Sequence, residues 1–157
     1  MRFPTPRSCF IVRVLDGDTY RAEFEQRTVT LRIAGMDSPE LAQPGGHWCK
    51  AVVNRLLLAR VLLVTRTTLD PYNRIVADMH WFYGGRVAET FIAAGVGWHD
   101  PRFSPDPENL QRAEHYARAH HFGLWRDPHA IPPWVWRRFL TKNPYSRRSR
   151  NHYRYRR

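Results

Sequence analysis

Apolar and polar positions alternate with a period of two through the N-terminal third of the chain. Residues 9–15 form an apolar, β-rich run that stops at Asp16-Gly17, a strong turn signal. Tyr20, Ala22 and Phe24 then alternate with Arg21, Glu23 and Glu25. After Gln26-Arg27, Val29, Leu31 and Ile33 alternate with Thr28, Thr30 and Arg32, which sets Arg32 on the face opposite the apolar set. The period changes beyond Pro44 and Gly45-Gly46, where Trp48, Val52, Leu56 and Ala59 follow helical spacing and predict a first helix reaching Arg60. Residues 61–67 read as a fourth strand, Asp70-Pro71-Tyr72-Asn73 as a turn, and residues 74–82 as a fifth strand with Ile75, Ala77, Met79 and Trp81 facing away from Arg74. Gly84-Gly85 breaks the chain, and residues 87–94 predict a short helix ended by Gly95. Asp106 as N-cap and Pro107 at the first helical position predict a third helix to about His121, stopped by Gly123. The expected fold is mainly β with α: a five-stranded barrel of the OB type packed with three helices, without internal repeats.

A chain of 157 residues fits one domain, and 43% hydrophobic residues with six Trp are enough for a packed core. No apolar run approaches a membrane span, and residues 1–7 lack the apolar stretch of a secretory signal. The expectation is a soluble, cytoplasmic protein unless it is processed or exported by another route, and a monomer, since the apolar faces are all used by one barrel and its helices. Cys9 and Cys49 have no metal-type spacing and read as two reduced, mostly buried thiols. Of the eight His only His115, His120 and His121 cluster, too few ligands for zinc.

The net charge of +11 is uneven. Residues 1–136 hold 16 Lys plus Arg against 14 Asp plus Glu, or +2; residues 137–157 hold nine basic residues and no acid. Interleaved with Tyr145, Tyr153 and Tyr155, this terminus is suited to nonspecific phosphate attraction and base stacking. The division expected is a folded domain over 8–137 and a basic, disordered tail over 138–157.

The chemistry-bearing residues are concentrated at the ends of strands. Asp18 and Asp37 are hard oxygen ligands of the kind Ca²⁺ takes, and Glu40 can orient or deprotonate a water. Arg32 and Arg74 can clamp a phosphate while charge builds on it. Singly, each has an ordinary structural explanation; in combination and in this order they point to phosphodiester cleavage.

The segments Val14-Leu15-Asp16-Gly17-Asp18-Thr19, Leu31-Arg32-Ile33-Ala34-Gly35-Met36-Asp37-Ser38-Pro39-Glu40 and Asp70-Pro71-Tyr72-Asn73-Arg74 resemble the thermonuclease, or staphylococcal nuclease-like, family of OB-fold nucleases. Gly123-Leu124-Trp125 and Pro133-Trp134-Val135-Trp136-Arg137 are similar to its closing segment. The resemblance implies that Asp18, Asp37 and the Ser38 carbonyl hold Ca²⁺, that Glu40 acts on the attacking water, and that Arg32 and Arg74 grip the scissile phosphate. It further implies that Tyr72 contacts a flanking phosphate, that Asp16 and Thr19 support the metal loop, that Asp70 braces the turn aiming Arg74, and that Trp98 stacks on a base. Two positions depart from the pattern. Asn73 replaces a glycine but tolerates positive φ, and Asp78 replaces an apolar fifth-strand residue, where it would neutralise Arg32 or Arg74 if it faced either.

The function expected is Ca²⁺-dependent hydrolysis of DNA, RNA or both, single strands included, with little sequence specificity. The alternative is a catalytically silent OB-fold module that binds nucleic acid, which leaves Asp18, Asp37 and Glu40 without a purpose. A partner-binding protein whose tail docks an acidic surface leaves the same carboxylates unexplained.

Overall fold

The computed structural model describes residues 7–142, so the tail from 143 onward lies outside the described residues. Strands β1 (Arg7–Val14), β2 (Thr19–Phe24) and β3 (Arg27–Ile33) form an antiparallel meander. Its second connection is a tight turn in which Glu25 and Gln26 both adopt positive φ (50° and 62°), the two-residue geometry that matches strand twist. After a short strand β4 (Met36–Asp37) and helix α1 (Gly46–Leu57) come β5 (Val61–Leu69) and β6 (Ile75–His80). The order β1-β2-β3-β6-β5 closes on itself as a barrel, with β3 and β6 parallel and the other pairs antiparallel. Closure leaves the barrel sheet without a free edge strand and encloses Ile11, Tyr20, Ala22, Leu31, Ile33, Leu62, Ala77 and Met79. The five-stranded barrel expected from the alternation is therefore the fold.

Helix α2 (Val87–Ala93), strand β7 (Trp98–His99), helix α3 (Pro107–Ala119) and helix α4 (Pro133–Lys142) complete the structure. Asp106 caps α3 by accepting from Asn109 N–H with Pro107 in the first turn, as the sequence predicts. Three findings differ from expectation. A fourth helix exists, so ordered structure extends past Arg137 to Lys142. In α1 the fully buried stripe is Cys49, Val53 and Leu57, whereas Trp48 and Leu56 are exposed; the apolar positions are too many for one face, and periodicity could not locate the centre of the stripe. The two-residue strands β4 and β7 pair as a small ribbon, Asp37 opposite Trp98, too short to leave a periodic signature. No helix among the described residues is long and apolar enough to cross a membrane.

Candidate active site

The loop joining β1 to β2 folds back through hydrogen bonds from the Leu15 and Asp16 N–H groups to the Thr19 carbonyl, at 2.9 and 3.3 Å. Asp16 Oδ1 accepts from Asp18 N–H at 3.1 Å, a side-chain-to-backbone turn that short acidic residues favour. Burial, and then the neighbouring charge of Asp18, raise the Asp16 carboxyl above its ordinary value. Asp18 is buried, with Oδ1 accepting from Thr19 Oγ1 at 2.8 Å and Oδ2 from Ser38 N–H at 2.9 Å. That second bond staples the β1–β2 loop to the residue after β4.

Arg32 lies between the two carboxylates. On β3 it faces away from the barrel interior, as its alternation with Leu31 and Ile33 predicts, yet only 8% of it is exposed because acidic side chains cover it. Nη1 donates to Asp18 Oδ1 at 2.9 Å and Nη2 to Asp37 Oδ1 at 3.0 Å, with Asp100 Oδ2 at 3.9 Å. Burial works against the charge, but Asp18 and Asp37 outweigh it and hold the guanidinium above its ordinary value.

Asp37, wholly buried in the β4–β7 ribbon, receives two further arginines. Arg137 of α4 approaches Oδ2 through Nη2 at 2.6 Å and Oδ1 through Nη1 at 3.3 Å, and the same Nη1 donates to Glu40 Oε1 at 2.8 Å. Arg102, bidentate on Asp100 at 2.9 and 2.8 Å, brings Nη2 within 3.8 Å of Asp37 Oδ2 and leaves 60% of its side chain exposed. The structure thus gathers Asp18, Arg32, Asp37, Ser38 and Glu40 into one cluster, with Asp16 and Thr19 bracing it.

Arg74 stands apart from those carboxylates. Leu31 of β3 pairs with Ile75 and Arg32 with Val76, so the chain enters β6 beside the strand that carries Arg32. The Asp70 carboxylate holds Arg74 at two points and the turn at a third: Oδ1 accepts from the Tyr72 and Arg74 N–H groups, both at 2.9 Å, and Oδ2 from Arg74 Nε at 2.7 Å. These bonds outweigh burial and keep the Asp70 carboxyl below its ordinary value. Asn73 adopts φ 60°, so the tight turn forms without glycine. The exposed Tyr72 ring lies 5.4 Å from the Arg74 guanidinium, and the Nη atoms of Arg74 have no carboxylate partner among the described residues.

Two expectations are corrected. Trp98 is 1% exposed and packs edge-on against Trp125 at 4.9 Å, so it is a core residue with no face open to a base. Asp78 faces neither Arg32 nor Arg74: it accepts from Arg86 Nε and Nη2 at 2.8 and 3.3 Å and from Thr65 Oγ1 at 3.1 Å, and Arg86 continues to Asp106 at 3.1 Å. Asp78 joins β6 to α2 and α3 and leaves the site cations alone. Sequence reasoning missed Asp100, Arg102 and the role of Arg137. The first two lie in an ordinary Asp-Pro-Arg turn, and Arg137 stands out in the sequence only as the end of the closing segment.

The donor set fits a hard cation in part. Among the described residues no three His, Cys, Asp or Glu side chains converge as a metal centre. Asp18 and Asp37, either side of one guanidinium, nevertheless supply buried carboxylates, and the neighbouring Ser38 Oγ is buried without a hydrogen-bond partner. Oxygen donors of this kind are the type that hard cations such as Ca²⁺ take.

Comparison with known proteins agrees with this geometry. The family model described as staphylococcal nuclease homologue matches residues 30–127. An uncharacterized endonuclease of Escherichia coli is 33% identical over 127 residues, covering 81% of this chain and 82% of that protein. A micrococcal nuclease of Shigella flexneri is 32% identical over 142 residues, covering 85% and 81%. A staphylococcal-like nuclease of Arabidopsis thaliana is 32% identical over 108 residues, 69% of this chain and 33% of its own length. The barrel with its strand-end carboxylates and arginines is a nuclease-type domain. The chain belongs to the staphylococcal nuclease family.

Proposed function

We propose that this protein is a Ca²⁺-dependent nuclease that hydrolyses phosphodiester bonds of DNA, RNA or both with little sequence preference, acting as a monomer. The observation that carries the reading is the convergence of Asp18, Asp37 and Glu40 with Arg32 and Arg137, since a module that only binds nucleic acid has no use for three carboxylates where a polyanion must dock. Asp18, Asp37 and the Ser38 carbonyl would hold the cation, which supplies positive charge against the phosphate oxygens and lowers the pKa of bound water. Glu40 takes a proton from the attacking water as its oxygen bonds to phosphorus. The opposite P–O bond breaks, and the departing alkoxide takes a proton from solvent. Arg32 and Arg74 bear on the phosphate as its negative charge grows, where planar two-point donors serve better than lysine. Tyr72, exposed beside Arg74, contacts a flanking phosphate.

The test is cleavage of a plasmid and of single-stranded DNA and RNA with Ca²⁺, with excess chelator, and with Asp37→Ala. Ca²⁺-dependent cleavage lost in the variant is expected. Full cleavage under chelator would remove the metal from the mechanism, and nucleic-acid binding without cleavage under every condition would establish the silent binder.

A further inference from the structure

Glu40 lies in the irregular segment after β4 with 43% of its side chain exposed. Its carboxylate accepts from one side chain among the described residues, Arg137 Nη1 at 2.8 Å. A glutamate side chain has three rotatable bonds, and fixing it costs up to about 2 kcal/mol in rotamer entropy, so an unanchored Glu40 would spend little time in any one place. The guanidinium that anchors it is itself fixed to the most deeply buried carboxylate of the site: Arg137 reaches Asp37 at 2.6 and 3.3 Å, and Asp37 is wholly buried in the β4–β7 ribbon. The planar fork of arginine meets three carboxylate oxygens on two residues at once, in a fixed geometry that the freely rotating donors of an ammonium do not match.

A second, independent link sets the register of α4 against the same segment. The buried Gln43 accepts from the Glu40 N–H through Oε1 at 3.3 Å and donates through Nε2 to the Ile131 carbonyl at 2.5 Å, just before α4 begins. The main chain of Glu40 is thus tied through Gln43 to the residue two before α4, and its side chain to α4 itself, across ninety-seven residues of sequence in the case of Arg137.

We propose that Arg137 is a positioning residue of the reaction: it holds the Glu40 carboxylate beside Asp37, in the place from which Glu40 takes a proton from the attacking water. The proposal rests on the reading of Glu40 as the group that activates water. Arg137 acts through Glu40, so its loss belongs in turnover and not in substrate binding, and it has no separate effect once Glu40 is gone.

The experiment is a double-mutant cycle with wild type, Glu40→Gln, Arg137→Gln and the double variant. KM and kcat are measured on one single-stranded oligonucleotide, at a divalent-cation concentration shown by titration to saturate each protein. Arg137→Gln is expected to lower kcat about ten- to hundredfold, within the range of a misplaced general base, with KM changed less than about threefold. In the Glu40→Gln background the same change is expected to alter kcat less than about threefold. Arg137→Lys, which keeps the charge and most of the stem, recovers part of the loss, and it carries the comparison if hydrogen exchange shows α4 undocked in the glutamine variant. An equal loss in both backgrounds, a change confined to KM, or unchanged turnover in Arg137→Gln overturns the proposal while leaving Glu40 in place. Wild-type turnover in Glu40→Gln overturns the reading of Glu40 itself, and with it the role given to Arg137.

Discussion

Gly17 sits against Ser38 so closely that a Cβ on Gly17 would lie 2.3 Å from Ser38 Oγ and 2.7 Å from Ser38 Cβ. The glycine is therefore required by contact between the β1–β2 loop and the residue after β4, in addition to any turn it helps to make. Gly17→Ala is expected to destabilise the fold by about 1–3 kcal/mol, the usual cost of overpacking a filled site, and to lower activity by separating Asp18 from the Ser38 N–H. Ser38→Gly on top of it removes both clashing atoms and keeps the carbonyl, so denaturant unfolding of the double variant should recover part of the loss. No recovery would place the strain elsewhere.

Arg32 and Arg74 should separate in experiment, although both are assigned to the phosphate. Arg32→Ala leaves Asp18 and Asp37 buried without their shared cation, and losing one partner of a buried pair costs about 3–5 kcal/mol. Its thermal midpoint and its turnover should fall together. Arg74 is more open, with 28% of its side chain exposed against 9% for Arg32. Arg74→Ala should therefore fold nearly as wild type and lose turnover more than affinity, as single-turnover and binding measurements on the same oligonucleotide would show.

Asp78 gives the structure an acid-sensitive joint. Burial alone would raise its carboxyl, but the hydrogen bonds and charge of Arg86, with His80 behind them, hold it below the ordinary 3.8. The folded value is depressed, so the stability it contributes is fully present above 3.8 and is lost as pH falls through the folded value. Asp78→Ala is expected to cost about 3 kcal/mol at neutral pH, as for a broken buried pair, and to flatten the acid limb of the stability curve. A variant melting like wild type at pH 7 would show the joint to be inert.

The two thiols are buried and free, and burial pushes Cys9 up to about 11 and Cys49 up to about 12. Both should be silent toward a thiol reagent in the native protein and react together on unfolding, because the thiolate is the reactive form. Their raised values also predict stability that is intact below the ordinary 9.0 and lost as pH rises from there toward the folded values. Rapid reaction of Cys49 in folded protein would mean that α1, which carries it, opens readily.

The alternation of residues 20–33 and the Asp16-Gly17 turn specified the barrel meander, because a period of two puts one set of side chains on one face whatever else surrounds the strand. The Asp106-Pro107 cap likewise marked its helix, because capping is a local hydrogen-bond requirement. Asp18, Arg32, Asp37 and Glu40 were legible as candidate chemistry from residue type and order. Tertiary structure decided what they touch. That Arg32 is enclosed by Asp18, Asp37 and Asp100, that Asp78 turns to Arg86, and that Trp98 belongs to the core depend on contacts between segments far apart in sequence. Arg137 is the clearest case: its place between Asp37 and Glu40 exists only once α4 has docked, one hundred residues downstream of the carboxylate it meets. Local pattern encodes which face a side chain takes, and only the closing of the chain on itself brings the opposite charge to it.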